Sequence, residues 1–287
     1  MLAISASDLE ASSRQPPSEL TQTAISYRVL AIKSLNSALS TGIHSPEDGN
    51  AMLATCYILL YQSIFIDEGL PEFLTFVRGC VLLPIHMDCK GLKFLFQNVL
   101  TEDEIEMTRP YLQSMPPIDL SSVDAACASL EAFAPLCKRE LENMMREQTL
   151  EIVRKFYSSS GDGTKSPCRC SNTMLTHHLA YLAWLKGSIT FSCTISQAEF
   201  MILIDPSNLV GKLILSHFVA MQTLQTPIIV DERSSRMALQ FANGMVRWLD
   251  VLHANLEPSI RKYFAWPIKR AEELRGWFQR GRALAQT

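Results

Sequence analysis

Four side chains are candidate proton donors to a bound molecule: His177, His178, Tyr181 and His217. Met174, His177 or His178, Tyr181 and Trp184 recur at helical spacing and so share one face of a helix. His217 lies within Leu213-Ile-Leu-Ser-His-Phe-Val-Ala-Met221, where nearly every neighbour is apolar. Tyr57, Tyr61, Gln62 and Phe65 line successive turns of another apolar run, and Trp248 and His253 occupy a later one. A pocket for a hydrophobic molecule needs mostly apolar walls and a few donors that orient a hydroxyl or carbonyl. His177, His178, Tyr181 and His217 are the candidate donors, and the candidate catalytic residues if the pocket carries out chemistry. Tyr57, Tyr61, Gln62, Phe65, Trp184, Met221 and Trp248 are the candidate binding residues. Each also has a plain alternative. A histidine in an apolar helix is usually a hydrogen-bonded core residue, and tyrosine and tryptophan at helical spacing usually pack a core.

Other chemistry has little support in the motifs. The chain has no G-x-S-x-G, no G-x-x-x-x-G-K-[ST], no H-E-x-x-H, no G-x-G-x-x-G and no D-D-x-x-D. No cofactor is therefore expected. Cys168-Arg-Cys170, followed by His177 and His178, supplies zinc-type ligands, but the spacing matches no common motif and no metal is expected. Cys56, Cys80, Cys127, Cys137 and Cys193 lie in apolar helical runs and read as small buried hydrophobes.

Composition bounds the rest. A chain of 287 residues with 47% hydrophobic and 19% charged residues can bury a substantial core. Fourteen prolines, twelve glycines and no strand-like alternation favour helices joined by proline-marked turns. A net charge of −3 gives no overall positive field to hold nucleic acid. Met1 is followed by no basic leader region, and no apolar run reaches about eighteen residues, so no membrane span is expected. These features suit a nuclear or cytoplasmic protein.

The elements that must position the candidate residues are helical. Ser18 caps a long amphipathic helix that runs to about Ser40 and stops at Gly42. Ser45 caps the next, with Pro46 at its first position, and Ala51–Ile66 is apolar almost all round, which implies burial on every side. Asp67-Glu68-Gly69 breaks it, and Leu70, Phe73, Leu74, Val77 and Val81 repeat on a second helix ending near Pro84 to Asp88. A short helix is expected over Gly91–Val99. A long one starts at Ser121 or Ser122 and runs through Val153 to Tyr157, kinked at Pro135, with a solvated charged face at Lys138–Gln148. Residues 158–171 read as a mobile surface loop between two helical halves. Further helices are expected at about 172–186, 196–204, 206–225 and 231–255, with a turn at 258–264 and a last helix from Pro267 to Ala285. The expectation is one all-α domain over residues 1–287, of about ten or more helices, with a central buried helix hairpin and a hydrophobic pocket.

A resemblance sharpens this expectation. AMLATCYILLYQSIF and GLPEFLTFVRGC resemble the hydrophobic C-terminal domain of fungal zinc-cluster transcription factors, with the flavour of the sterol-uptake-control regulators. MLAISASDLE is similar to an early helix of that domain, with Asp8 where the family usually has histidine. YRVLAIKSLNSAL resembles the helix that follows, and LILSHFVAMQTLQTPI and YFAWP resemble late segments. Cys56, Cys80, Cys89, Cys127, Cys137, Cys168, Cys170 and Cys193 do not form the C-x2-C-x6-C spacing of the family's DNA-reading zinc cluster. Met1 falls inside what would be an internal helix of the family domain. The chain is then either a truncated regulator or a stand-alone relative, and no direct nucleic-acid binding is expected.

The resemblance implies a hydrophobic small-molecule-binding domain for a sterol, terpenoid or polyketide-like ligand. It also implies a homodimer, to which Tyr263–Phe278 would contribute if it is not internal packing. The alternative is a cofactor-free cyclase, isomerase or pericyclase of fungal secondary metabolism, repurposed from the same pocket.

Overall fold

In the computed structural model the described residues are 19–93, 119–156, 186–224 and 236–284, with the single positions 5 and 95. Nine α-helices lie wholly among them, with no strand, and the fold is all-α. Backbone contacts divide the chain into two compact units, Met1–Thr101 and Glu102–Thr287. The division falls before the 158–171 segment, which lies outside the described residues.

The first unit contains α1 (Glu19–Thr41), α2 (Pro46–Ser63) and α3 (Leu70–Cys89). Gly42, at φ +90°, ends α1 in the left-handed region that glycine enters without penalty. Ser45 is extended and its hydroxyl accepts the Asp48 N–H at 3.1 Å, so α2 starts where the Ser-Pro pair directs it. Gly69 opens α3, and a Cβ there would meet the Ser63 carbonyl at 2.2 Å, so the corner between α2 and α3 has room for glycine alone. Leu35, Met52, Leu53, Cys56, Leu59, Phe76, Leu83 and Met87 form the core between the three helices.

Two expectations change here. α2 is not buried all round: Ala51 and Tyr61 are exposed and Ile58, Phe65 and Ile66 half-buried, because α1 and α3 cover only part of its circumference. α3 runs through Pro84 to Cys89, one residue past the expected range for its end. Gly91 at φ +67° turns the chain there, and Leu92 and Lys93 are not helical. α3 is long and apolar enough to cross a membrane by length and composition, yet Phe76, Leu83 and Met87 pack it into this core, and Leu74 is buried as well.

Arg28 ties the three helices together. It is 4% exposed, and all five of its N–H groups are used. Nε donates to Glu72 at 3.1 Å, Nη1 to the Leu59 carbonyl at 3.1 Å and Gln62 Oε1 at 3.2 Å, and Nη2 to Ser63 Oγ at 2.9 Å and to Glu72. The Phe76 ring lies 5.5 Å from the guanidinium carbon.

The second unit is built from α4 (Leu120–Ala132), α5 (Glu140–Arg154), α6 (Gln197–Leu203), α7 (Leu209–Thr223), α8 (Arg236–Ala254) and α9 (Ala265–Leu284). α7 is its axis, packed against the other five, with Leu213 through Met221 all buried. Pro135 breaks the expected long helix rather than kinking it. A 3-10 turn covers Ala134–Leu136 and Cys137 is extended, after which the Glu142 carboxylate accepts the Lys138 and Arg139 N–H groups at 3.0 and 3.1 Å and starts α5. The charged run is correspondingly only half solvated, since Glu142 and Arg146 are buried. α7 also starts later than expected, because Asp205 and Ser207 form a turn and Asn208 caps the helix by accepting the Gly211 N–H at 2.9 Å.

Arg28→Ala is expected to cost roughly 2–4 kcal/mol, through the cavity and the acceptors left unpaired. Glu72→Gln should cost under about 1 kcal/mol, because that carboxylate is half exposed and water replaces its partner. Urea unfolding of both variants checks this asymmetry, and equal losses would contradict it.

Candidate functional site

The most developed polar arrangement among the described candidates surrounds His217, and helix geometry places it. α7 is apolar at nearly every position from Leu213 to Met221, so the axis of the unit carries His217 to its centre at 0% exposure. Asn208 fixes the start of the helix, its side-chain amide also reaching back to the Ile202 carbonyl at 3.0 Å. Gly211 lets α7 approach the end of α6, since a Cβ there would sit 2.4 Å from the Leu203 carbonyl. At the far end Arg270 of α9 donates to the Thr223 carbonyl at 3.4 Å.

Both ring nitrogens of His217 are engaged. Nδ1 lies 2.8 Å from the Leu213 carbonyl, one turn back on the same helix, and Nε2 lies 2.8 Å from Ser129 Oγ on α4. A carbonyl can only accept, so Nδ1 carries the proton and the bare Nε2 accepts the Ser129 hydroxyl proton. Trp266 of α9 stacks on the imidazole at 5.7 Å and 22°, and Phe133, at the C-terminal end of α4, lies 5.0 Å away and tilted. Burial pushes the His217 pKa down to about 4, with the Leu213 carbonyl acting weakly in the opposite direction. The imidazole is neutral at pH 7, and the imidazolium is disfavoured by about 3 kcal/mol.

This energy decides what the pair can do. A serine hydrogen-bonded to a neutral imidazole has the first two members of a nucleophilic arrangement. Removing the Ser129 proton would create the imidazolium that burial disfavours, and a carbonyl instead of a carboxylate faces Nδ1. The pair is a hydrogen-bond relay, not an activated nucleophile.

The other candidates are dispersed. Met221 and Trp248 are buried in the second unit, on α7 and α8. In the first unit Gln62 belongs to the Arg28 network and also donates to the Ala24 carbonyl at 3.4 Å. Tyr57 packs half-buried against the core of that unit, Phe65 is half-buried, and Tyr61 is 41% exposed. His177, His178, Tyr181 and Trp184 lie outside the described residues, as do Cys168 and Cys170. Cys56 and Cys137 are buried and Cys80, Cys127 and Cys193 half-buried, all as free thiols. Burial raises the Cys56 thiol to about 11. Among the described residues no group of histidine, cysteine and carboxylate side chains is placed to hold a metal ion.

Ser129 and Arg28 escaped the reading of the sequence. Ser129 stands in Ala125-Ala-Cys-Ala-Ser-Leu, with nothing to link it to a histidine 88 positions away. Arg28 did leave a signal: Ala24, Ala31, Ile32 and Leu35, on its own helical face, are all apolar.

Compared with protein-family models, curated proteins and solved structures, the chain matches none.

Because the folded pKa of His217 lies below the unfolded value, the unfolded chain binds the extra proton between them. Stability should therefore fall as pH drops from about 6.5 to about 4, by about 3 kcal/mol from this residue. Urea unfolding at pH 7, 5 and 4 should show this loss in the wild type beyond that in His217→Gln. Parallel curves for the two proteins would contradict it.

Proposed function

We propose that this chain is a hydrophobic small-molecule-binding domain of the zinc-cluster-regulator type, taking a sterol, terpenoid or polyketide-like ligand. The observation that carries the reading is the ordered series of family-like segments, together with where they fall in the fold. YRVLAIKSLNSAL lies on α1, AMLATCYILLYQS and LPEFLTFVRGC on α2 and α3, LILSHFVAMQT on α7, and YFAWP across the 3-10 turn Arg261–Phe264 and the start of α9. A second support is chemical. α7 is almost wholly apolar, and its one histidine is held neutral and linked to the hydroxyl of Ser129, a half-buried residue. That combination suits an apolar ligand with a single polar end.

Cofactor-free cyclisation or isomerisation would draw on His217 as a donor to substrate. Its Nδ1 proton is already donated to the Leu213 carbonyl, and its Nε2 lone pair already accepts the Ser129 hydroxyl proton. Binding therefore comes before catalysis in this reading.

Titration with the fluorescent sterol dehydroergosterol, read as energy transfer from tryptophan, tests the proposal. Saturable binding of one sterol per chain with a Kd of about 1 μM or tighter is expected, displaced by unlabelled sterol and lost on unfolding. Transfer that never saturates, with no competition by sterol, diterpene or aromatic polyketide, would overturn it.

A further inference from the structure

The proton arrangement around His217 fixes the polarity of any group that meets Ser129. The Leu213 carbonyl lies 2.8 Å from Nδ1 and can only accept, so the Nδ1–H is committed to it. Nε2 is then bare, and the group 2.8 Å away is the Ser129 hydroxyl, which must donate. A hydroxyl has one proton, and with that proton turned inward Ser129 Oγ has lone pairs alone to offer elsewhere. Ser129 makes no other hydrogen bond among the described residues and is only partly buried, whereas His217 behind it is fully buried. Ser216 does not alter this count, because its hydroxyl donates to the same Leu213 carbonyl at 2.7 Å. Trp266 stacks on the imidazole and Phe133 lies tilted 5.0 Å away, so the ring is packed by aromatic neighbours as well as tied at both nitrogens.

Resting on the ligand-binding reading above, we infer that Ser129 Oγ is a hydrogen-bond acceptor for the polar end of the ligand, which selects an apolar alcohol over the corresponding ketone. A ketone oxygen would face the lone pairs of Ser129 and lose its water without replacement. A hydroxyl would donate to Ser129, and the resulting chain, ligand O–H to Ser129 to His217 to Leu213, has every proton pointing one way. Hydrogen bonds aligned in this manner strengthen one another.

The test uses the full chain and two probes that differ in one group, cholesterol and cholest-4-en-3-one, each competing with dehydroergosterol. The alcohol is expected to bind about tenfold more tightly than the ketone, the value of one hydrogen bond. Ser129→Ala should abolish that preference and Ser129→Thr, which keeps the hydroxyl, should retain it. Should Ser129→Ala fail to fold, Ser129→Cys takes its place, since a thiol still donates but accepts poorly. Equal affinity for the two probes, or tighter binding of the ketone, would overturn the inference while leaving the binding reading intact. A preference for the alcohol that survives loss of the Ser129 hydroxyl would overturn its assignment to this residue. Binding of neither probe, with none of dehydroergosterol, would remove the ligand-binding reading and this inference with it.

Discussion

A polar ring in the middle of an apolar helix must be neutral and must have both its nitrogens satisfied, and the second unit is arranged around that requirement at His217. Leu213, Ile214, Phe218 and Met221 make α7 the axis of the unit, so the histidine they carry cannot reach water. The helix supplies one partner from its own backbone, the Leu213 carbonyl. α4 supplies the other through Ser129, Trp266 of α9 stacks on the ring, and Phe133 at the end of α4 packs tilted against it. The break at Pro135 belongs to the same arrangement. It ends α4 at the turn that carries Phe133, fully buried, to the imidazole, and it lets α5 leave in a new direction along α7.

The first unit meets the same physical demand by the opposite route. Arg28 cannot shed its charge as His217 does, so burial requires that every N–H find an acceptor. Leu59, Gln62 and Ser63 of α2 and Glu72 of α3 provide them, and the half-exposed Glu72 keeps the pair from being sealed away from water entirely. One buried cationic side chain thereby fixes α1 on the hairpin. One buried neutral ring does the equivalent for α7 and its neighbours.

Much of the helical plan was legible because local signals set it. Ser45-Pro46 starts α2, Asp67-Glu68-Gly69 turns the chain into α3, Gly42 stops α1, and Ser196 with Glu199 starts α6. The failures came where tertiary packing chose between local options. A proline in a helical pattern can kink the helix or break it, and Pro135 breaks the one it was expected to kink, whereas α3 continues past Pro84. Apolarity on every side of α2 suggested complete burial, yet its neighbours cover only part of it. Of the candidate site, His217 was legible as a polar residue in an apolar run. Its meaning was not, because Ser129 is remote in sequence and the tautomer is set by a backbone carbonyl that no side-chain pattern encodes. Gln62, chosen as a binding residue, proved to face Arg28, a partner that the apolar neighbours of Arg28 could have announced.

The measurement that bears most directly on this account is the long-range proton–nitrogen correlation spectrum of the histidine side chains at pH 7, with His217 assigned through His217→Gln. The account predicts a neutral ring with the proton on Nδ1 and a bare, hydrogen-bonded Nε2. A proton on Nε2, or an imidazolium with both nitrogens protonated, would contradict it, because the Leu213 carbonyl could not then orient the ring nor Ser129 donate to it.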